Sequence, residues 1–294
     1  MVRDILKEDI SANSKEAHGM KMCNVKAAFA GSVFTLVMAA SAASSAEEKK
    51  GKSDLTSNWD VVVGLGAGYG PDYEGSDDYE FSPLPLLEIT WRDRIYLSTH
   101  DGLGAYFYKG DQLSLKGGIG YDDGRDEGDN SHLRGLGNVD GAVALNAGLE
   151  YELGPVTSFI ELEKSLGGSD GLQIEFGVET MIPLGGTKGK GGDDDFSGPA
   201  LMLGISADWV DDNYAESYFG VNATQSARSG LARYNAESGF KSVNFEAGFL
   251  YPFNEHWALN TTIGYSQLLG DAADSPIVKD EGQFFGGVFV TYQF

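Results

Sequence analysis

The last nine residues, 286–294, read "GGVFVTYQF" and decide the fold. One face of this alternating segment carries Val288, Val290, Tyr292 and Phe294. The other face is small or polar except for Phe289. The ends of soluble domains are usually polar and frayed, so a strand that stops on an aromatic side chain needs an apolar medium to receive its apolar face.

The same period of two begins the folded region. In "NWDVVVGLGAGYG" (58–70) an apolar face runs from Trp59 to Tyr69 and the opposite face is mostly glycine. In "LQIEFGVETMI" (172–182) glutamates take that second position. A face of glycine, carboxylate and amide groups cannot fill a dry core, so the apolar face must point outward into lipid. The stretch from Trp59 to Tyr69, at roughly 3.3 Å per residue and a tilt of about 40°, spans roughly 25 Å, the height of an outer-membrane apolar band.

The sequence therefore predicts an all-β fold, a closed antiparallel transmembrane β-barrel of about twelve strands, within limits of about ten and fourteen. The strands are expected near residues 58 to 69, 80 to 91, 94 to 108, 112 to 122, 139 to 153, 156 to 166, 171 to 184, 198 to 210, 215 to 221, 240 to 252, 255 to 267 and 282 to 294. No window has a helical period. The alternative is a secreted soluble β protein whose last strand ends on phenylalanine by chance.

Residues 1–46 are predicted to contain a cleavable signal peptide. Lys21 and Lys26 introduce the apolar stretch "AAFAGSVFTLVMAA" (27–40), and small residues follow as far as Ala46. This stretch is shorter than the roughly 20 apolar residues of a membrane-spanning helix. The protein is therefore expected to be exported and the leader removed.

The segment before Met20 contains acidic residues that do not suit a signal peptide, so translation is expected to begin at Met20 or Met22. The only cysteine, Cys23, lies within the leader, which removes disulfide and thiolate chemistry from the mature chain. Residues 47–57 are predicted to form a short periplasmic lead, and residues 58–294 the barrel.

The chain is strongly acidic, with 44 aspartates and glutamates against 21 lysines and arginines and a net charge of -23. An acidic surface repels phosphate, so nucleic acid is not expected as a partner. Cations and basic protein surfaces fit this charge better. No cofactor is expected.

Three long connections carry distinctive motifs: "GPDYEGSDDYEFSPLP" (70–85), "NATQSARSGLARYNAESGF" (222–240) and "LLGDAADSPIVKDEGQ" (268–283). Within them stand Y-x-G-S at 73–76, SGL-x-x-Y-x-A at 229–236 and GDAADSPIV at 270–278. With the alternating strands and the terminal YQF, the chain resembles the MltA-interacting protein (MipA) / OmpV family of outer-membrane proteins from about Trp59 to Phe294.

The resemblance implies a Gram-negative outer-membrane barrel without enzymatic activity. It implies a scaffold role that brings a murein lytic transglycosylase and a peptidoglycan synthase together in cell-wall remodelling. Outer-membrane lipid, lipopolysaccharide and the barrel insertion machinery are the other expected partners. The alternatives from another class are a small cation-preferring channel and a surface adhesin.

The candidate functional residues form three sets. The motif loops supply Tyr73, Gly75, Ser76, Ser229, Gly230, Leu231, Tyr234, Gly270, Asp271, Asp274, Ser275 and Pro276. The terminal aromatics Tyr292 and Phe294 resemble the signal that the barrel insertion machinery reads. The acidic lumen is predicted to contain Asp60, Asp140, Glu150, Glu175 and Glu179.

Two of these sets have more than one interpretation. Asp271 and Asp274 suit either a turn or a divalent-cation site, and the turn is favoured because Asp, Ser and Pro satisfy turn amides. Asp193–Asp195, which belong to none of the three sets, are expected to form a mobile solvated loop and not a calcium site, since no regular ligand spacing surrounds them. A carboxylate-lined lumen either favours cations over anions or is packed shut by pairing of its acids with bases such as Lys116.

Two further expectations concern chemistry and topology. Inward-facing Ser98 and His100, with Glu88 on the neighbouring strand, suggest a hydrolytic triad, but a non-catalytic hydrogen-bond network in the lumen is favoured. With the predicted strand directions, "DDGRDEGDNSHLRGLGN" (122–138) becomes an unusually long periplasmic connection. Either the strand count is wrong there, or this acidic segment is the exposed surface that a periplasmic partner binds.

Overall fold

The computed structural model describes residues 58–185 and 198–294, which form a closed antiparallel β-barrel of twelve strands. The strands are β1 (Trp59–Pro71), β2 (Tyr79–Trp91), β3 (Ile95–Ser98), β4 (Gly102–Lys109), β5 (Leu113–Asp122), β6 (Ala142–Leu153), β7 (Val156–Ser165), β8 (Leu172–Pro183), β9 (Ala200–Val210), β10 (Gly239–Pro252), β11 (Trp257–Leu268) and β12 (Gly282–Gln293). The predicted fold class and strand number are confirmed. The predicted leader, the lead to residue 57 and Asp193–Asp195 lie outside the described residues.

In the described part of the chain, three helices interrupt the strand order: α1 (Asp212–Phe219), α2 (Ala223–Ser229) and the short α3 (Gly270–Ala273). A 3-10 turn covers Ser131–Leu133. None of the helices in the described ranges is long and apolar enough to cross a membrane.

The apolar faces of the strands point out of the barrel. Phe81, Phe107 and Leu65 are 77%, 72% and 68% exposed on this surface. The inward face buries polar side chains, among them Ser98, Glu175, Asp208, Asn244, Glu246 and Asn260. This inversion of a soluble protein's pattern is what a lipid solvent demands.

The last strand closes the barrel. β12 pairs with β1 from Val62 opposite Gln293 to Tyr69 opposite Gly286, and the Phe294 N–H donates to the Val61 carbonyl at 3.0 Å. The Phe294 ring is exposed on the outer surface and meets Tyr292 with ring centroids 4.8 Å apart. The terminal aromatic therefore faces lipid at the rim of the barrel.

The expected strand at 94 to 108 is wrong, because the chain turns back at Thr99–Asp101 and forms β3 and β4 instead. The Ser98 hydroxyl accepts the N–H groups of His100 and Asp101, and Gly102 adopts a φ of +72° that favours glycine. These features allow a tight turn inside what looked like one alternating run.

The expected strand at 215 to 221 is also wrong, because its first five residues belong to α1. Asp211 caps this helix by accepting the Tyr214 N–H at 2.9 Å. Ala215, Tyr218 and Phe219 are buried at a spacing of three and four residues, which is helical. One strand too few and one too many cancel, so the strand number is right although two assignments are not.

This correction reverses the direction of the strands between residues 113 and 210. The loop 123–141 now joins the connections 72–78, 211–238 and 269–281 at the end opposite the termini. Outer-membrane barrels carry their longer loops outside and their shorter turns in the periplasm, so this end is the extracellular one. The inner end carries the turns 92–94, 110–112, 154–155 and 253–256, and β8 ends and β9 begins there.

Candidate functional site

The motif loops lie far apart in sequence but meet over the outer mouth of the barrel. Their buried apolar side chains form one cluster of Tyr73, Leu133, Leu136, Val221 and Ile277, with Leu231 and Tyr234 packed against it. Tyr73 is 1% exposed, and its hydroxyl donates to the Ile277 carbonyl at 3.1 Å. We call the four loops that meet here, 72–78, 123–141, 211–238 and 269–281, the cap.

The loop 123–141 is part of the cap and not a periplasmic connection. The Asn130 amide donates to the carboxylates of Asp72 and Asp78 at 2.8 and 3.0 Å. The His132 Nε2 lies 3.1 Å from the Pro276 carbonyl oxygen. The interpretation of this segment as a grip for a periplasmic partner is therefore wrong.

A second buried cluster lies beneath α1. It contains Val210, Ala215, Tyr218, Phe219, Ala236, Leu268 and Ala272. Arg125 donates from Nη1 to the Tyr218 carbonyl at 2.6 Å, and the Tyr218 hydroxyl donates to Asp122 at 3.2 Å. Burial lowers the pKa of Arg125 and raises the pKa of Tyr218. The cap is thus built like a small domain core.

Glycines of the motifs make the close approaches of the cap possible. Gly75 has a φ of +94°, and its carbonyl accepts the Lys279 N–H at 2.7 Å. A Cβ atom on Gly75 would lie 2.5 Å from Cγ2 of Val278. Gly230 ends α2 with a φ of +81°. Gly270, with a φ of +52°, begins α3.

The polar motif residues satisfy backbone groups between loops. Asp271 accepts the Glu237 N–H at 2.8 Å, and the Ser275 hydroxyl donates to the Phe219 carbonyl at 2.6 Å. The Ser229 hydroxyl donates to the Gln225 carbonyl at 2.8 Å within α2.

The remaining polar motif residues have similar places. The Tyr234 hydroxyl donates to the Asp271 carbonyl at 2.9 Å, Asp274 ends α3, and Ser76 is buried. Within the described ranges, no group of three or more His, Asp or Glu side chains is arranged to hold a metal ion. The motif residues thus serve the architecture of the cap.

Glu127 gives the cap a predicted pH dependence. Its carboxylate accepts the N–H groups of Gly135 and Gly137 at 2.8 Å each, and these bonds hold the pKa of Glu127 below its usual value. A depressed carboxyl pKa in the folded state adds stability that is present above the unfolded pKa of about 4.3 and is lost as pH falls through the folded value. We therefore expect the amides of residues 128–138 to lose hydrogen-exchange protection as the pH is lowered from about 5 to 3.

The matched variant for this prediction is Glu127→Gln, which keeps the shape but cannot ionise. Its exchange rates, corrected for the intrinsic effect of pH, should be raised at pH 5 and should change less between pH 5 and 3. Identical pH profiles for the two proteins would contradict the assignment.

Lys116 is the centre of the charged interior. Its Nζ lies 2.8 Å from Glu161, 3.3 Å from Asp101 and 3.8 Å from Glu150, and the lysine side chain is 13% exposed. Gly148 on β6 makes room for it, since a Cβ atom there would lie 2.6 Å from the lysine Cε. One cation thus serves three carboxylates.

The predicted acidic lumen is only partly assembled. Glu175 is buried, Glu179 and Glu150 are partly buried on neighbouring inward positions, and Asp60 lies at the inner rim, where Gln293 donates to it at 3.2 Å. Asp140 is a correction: it precedes β6 in the outer loop and its side chain is exposed. The apolar-polar alternation around it was extended too far into the loop.

Sequence reasoning missed a second buried lysine. The Lys241 Nζ lies 2.9 Å from Glu74 of the cap and also donates to Gln173 and to the Tyr214 hydroxyl. A β-bulge between Phe240 and Ser242 turns Lys241 into the interior. No alternation pattern can reveal this position, because a bulge breaks the period of two.

The interior also contains an apolar patch. Phe289, 1% exposed, packs with Val62 and Leu86, and Leu84 lies against them. Gly66 faces Phe289 across the β1–β12 seam, and a Cβ atom on it would lie 2.6 Å from the Phe289 ring. Phe289, a bulky residue on the polar face of the last strand, is thus accommodated by a glycine.

Ser98 does not stand out as a nucleophile. Its hydroxyl accepts two backbone N–H groups, from His100 at 3.2 Å and from Asp101 at 2.7 Å. The His100 Nε2 lies 3.8 Å from the Asp101 carboxylate. This arrangement is a capped turn at the top of the β3–β4 hairpin.

Comparison with known proteins identifies the family of the chain. Residues 63–294 match the family described as MltA-interacting protein MipA. The chain is 28% identical over 239 residues to the MltA-interacting protein of Escherichia coli K12, covering 78% of this chain and 89% of that one. It is 27% identical over 159 residues to the outer membrane protein OmpV of Vibrio cholerae, with 52% and 53% covered.

Solved structures that align with the chain include a bacterial polysaccharide outer membrane secretin, at 9% identity and a TM-score of 0.41, covering 82% of this chain and all of that one. The COG4313 outer membrane channel from Pseudomonas putida F1 aligns at 13% identity and a TM-score of 0.40, covering 84% and 98%. The match to the family begins within β1 and extends to the last residue, so it includes every cap loop and the strands β2 to β12. The chain therefore belongs to the MltA-interacting protein MipA family of Gram-negative outer-membrane barrels.

Proposed function

We propose that this outer-membrane barrel is a non-catalytic scaffold that holds a murein lytic transglycosylase and a peptidoglycan synthase together in cell-wall remodelling. The name of the Escherichia coli relative, MltA-interacting protein, supports a protein partner of the first kind. The observation that carries the proposal is the cap. Interlocked loops with buried apolar clusters cover the outer mouth, which favours a rigid, closed barrel over an open pore.

The interior supports a structural role in the same way. Lys116 and Lys241 pair with carboxylates, Phe289 fills part of the lumen, and the Ser98 hydroxyl caps a turn. Each of these arrangements stiffens the barrel. A stiff barrel presents its periplasmic turns in a fixed geometry, as a scaffold requires.

Side-specific photo-crosslinking tests the proposal. Asp111 and Glu255 are exposed in the periplasmic turns, and Arg233 and Asn235 are exposed in the cap. We expect benzoylphenylalanine placed at either of the first two positions to capture a lytic transglycosylase or a peptidoglycan synthase in living cells. The same probe at the two cap positions is the matched control and should capture neither.

The result also separates the scaffold from its alternatives. Capture of murein enzymes from both ends, or from neither, would count against the scaffold. The carboxylate-rich interior favours the cation-preferring channel as the second candidate. Conductance steps in planar bilayers, together with failed crosslinking, would favour the channel function over the scaffold.

A further inference from the structure

The wall of the barrel has a gap above the β3–β4 hairpin. β3 and β4 have only 4 and 8 residues, and β2 pairs with β3 only from Glu88 to Trp91. The outermost backbone hydrogen bond between β2 and the hairpin joins the Thr99 N–H to the Leu87 carbonyl at 3.0 Å. The outer part of β2, residues 79–86, therefore pairs with β1 alone.

Two prolines keep this edge of β2 open. The Leu87 N–H points toward the hairpin, since it lies 3.4 Å from the Thr99 hydroxyl. Alternate residues of a strand point their N–H groups to the same side, so Pro83 and Pro85 stand where the next donors to a neighbouring strand would be. Proline has no N–H, so a further strand cannot pair here. The edge is built to remain without a neighbouring strand.

The other side of the gap is β5. The outermost pair between β4 and β5 is Leu103 opposite Ile119, so Gly120 to Asp122 pair only with β6. Where both hairpin strands are missing, three strand spacings of about 4.8 Å separate β2 from β5, roughly 14 Å. Phe81 and Tyr121, 77% and 56% exposed, flank the gap on the lipid-facing surface. The gap thus opens into the membrane on the extracellular side.

A chamber of about 80 Å³, lined in part by charged side chains, lies beside the turn of the β3–β4 hairpin at the base of the gap. Its lining includes Tyr96, His100, Asp101, Lys116 and Glu175. His100 and Asp101 belong to the turn that forms the floor of the gap. The chamber and the membrane are therefore neighbours across the top of the hairpin.

The chamber and its border contain more acidic than basic side chains. Glu88 on β2 stands opposite Ser98 at the base of the gap and is close enough to Asp101 and Lys116 to interact with both charges. Glu88 and Glu175 are 8% and 4% exposed, and one carboxylate oxygen of each has no hydrogen-bond partner. Lys116 is already shared among three other carboxylates. A cation at this point would satisfy buried oxygens that the chain leaves unmatched.

We propose that the gap is a lateral binding site for an amphiphile with an ammonium head and a single alkyl chain. The head group lies in the chamber, next to Asp101 and Lys116, the two charged residues with which Glu88 interacts. The chain stays between β2 and β5 in the outer leaflet, continuous with the lipid that surrounds Phe81. The open edge offers room for the chain, and the carboxylates select the charge of the head. This site is independent of the proposed scaffold role.

Photolabelling in phosphatidylcholine nanodiscs tests the site. The probe is dodecylamine with a diazirine in the middle of its chain, and dodecyl sulfate with the same diazirine is the charge control. We expect the amine to label residues 81–86 and 120–122 preferentially. The variant Glu88→Gln should reduce this labelling at least about tenfold, the equivalent of one hydrogen bond to a charged group.

Glu179→Gln is the matched control, because it removes a lumen carboxylate on β8, away from β2 and β5, and should leave the labelling unchanged. Both variants keep the side-chain shape, and heat-modifiable migration on gels verifies that they fold. Equal labelling by amine and sulfate, or undiminished labelling of Glu88→Gln, would overturn the site. Labelling spread evenly around the barrel would do the same.

Discussion

Replacing Tyr73 with alanine is expected to destabilise the cap while leaving the barrel folded. Tyr73 is almost fully buried between the loops and bonds to the Ile277 carbonyl. Truncation of a buried aromatic residue to alanine costs about 3–5 kcal/mol. At 1.4 kcal/mol per factor of ten, the open population of the cap should rise by roughly a hundredfold or more.

Trypsin applied to intact cells measures this opening. Arg134 and Arg233 are exposed in the cap, but the folded loops restrict the local unfolding that cleavage requires. When the loops open and close faster than they are cut, the cleavage rate follows the open population. The rate at these arginines should therefore rise in step with the loss of cap stability.

Two variants sharpen the result. Tyr121→Ala also removes a tyrosine side chain, but from the lipid-facing surface of β5, below the loop 123–141 that carries Arg134. This variant should be cleaved at the wild-type rate. Tyr73→Phe keeps the ring and loses only the hydroxyl bond, which should give an intermediate rate. A Tyr73→Ala protein as resistant as the wild type would show that the cap is not held by this cluster.

Such a result would make the cap a cooperative unit separate from the barrel wall. The wall is held by hydrogen bonds within a closed ring of strands, whereas the cap is held by side chains from four loops. Local units of this kind open independently of global unfolding. The motifs that identify the family would then be the residues that stabilise the cap, which explains why they lie in loops.

The wall was predictable from sequence because lipid imposes a simple rule on it. Val288, Val290 and Tyr292 face outward as the alternation of the last strand indicates, and β12 closes on β1. Outside the bulges in β4 and β10, the paired residues of the spanning strands follow the same period, so many strands support one interpretation. Agreement among strands compensated for errors in any one of them.

The errors occurred where a local contact overrides the period. The Ser98 hydroxyl caps a turn within an apolar run, and Asp211 caps a helix whose sequence also alternates. The bulge beside Lys241 reverses one side chain. These features depend on hydrogen bonds whose partners a hydrophobicity pattern does not contain.

The cap could not have been predicted as one site. Its central bond joins Tyr73 to Ile277, which are 204 residues apart. The motifs were recognisable one by one, but only closure of the barrel brings their loops together. Asp140, which was expected in the lumen, lies in one of these loops instead.

The lumen could be recognised as acidic, but its balance of charge depends on Lys116. Replacing Lys116 with methionine is expected to destabilise the barrel by about 3–5 kcal/mol, because removal of one partner from a buried ion pair leaves the other charges uncompensated. Asp101, Glu150 and Glu161 all lie within 3.8 Å of the lysine Nζ and would face one another across the cavity that it leaves. Equilibrium unfolding in urea, with the protein in liposomes, measures the loss.

A double-mutant cycle decides whether charge or packing is responsible. Methionine keeps most of the volume of lysine, so a packing effect should be small in Lys116→Met and should not depend on Glu161. If charge is responsible, Glu161→Gln added to Lys116→Met should recover part of the lost stability, because one of the stranded carboxylates is then neutral. Glu161→Gln alone should cost less than Lys116→Met, since Lys116 keeps Asp101 and Glu150 as partners. Strictly additive effects of the two substitutions would mean that the lysine acts by filling space, and the interior would then tolerate its acids without a cation.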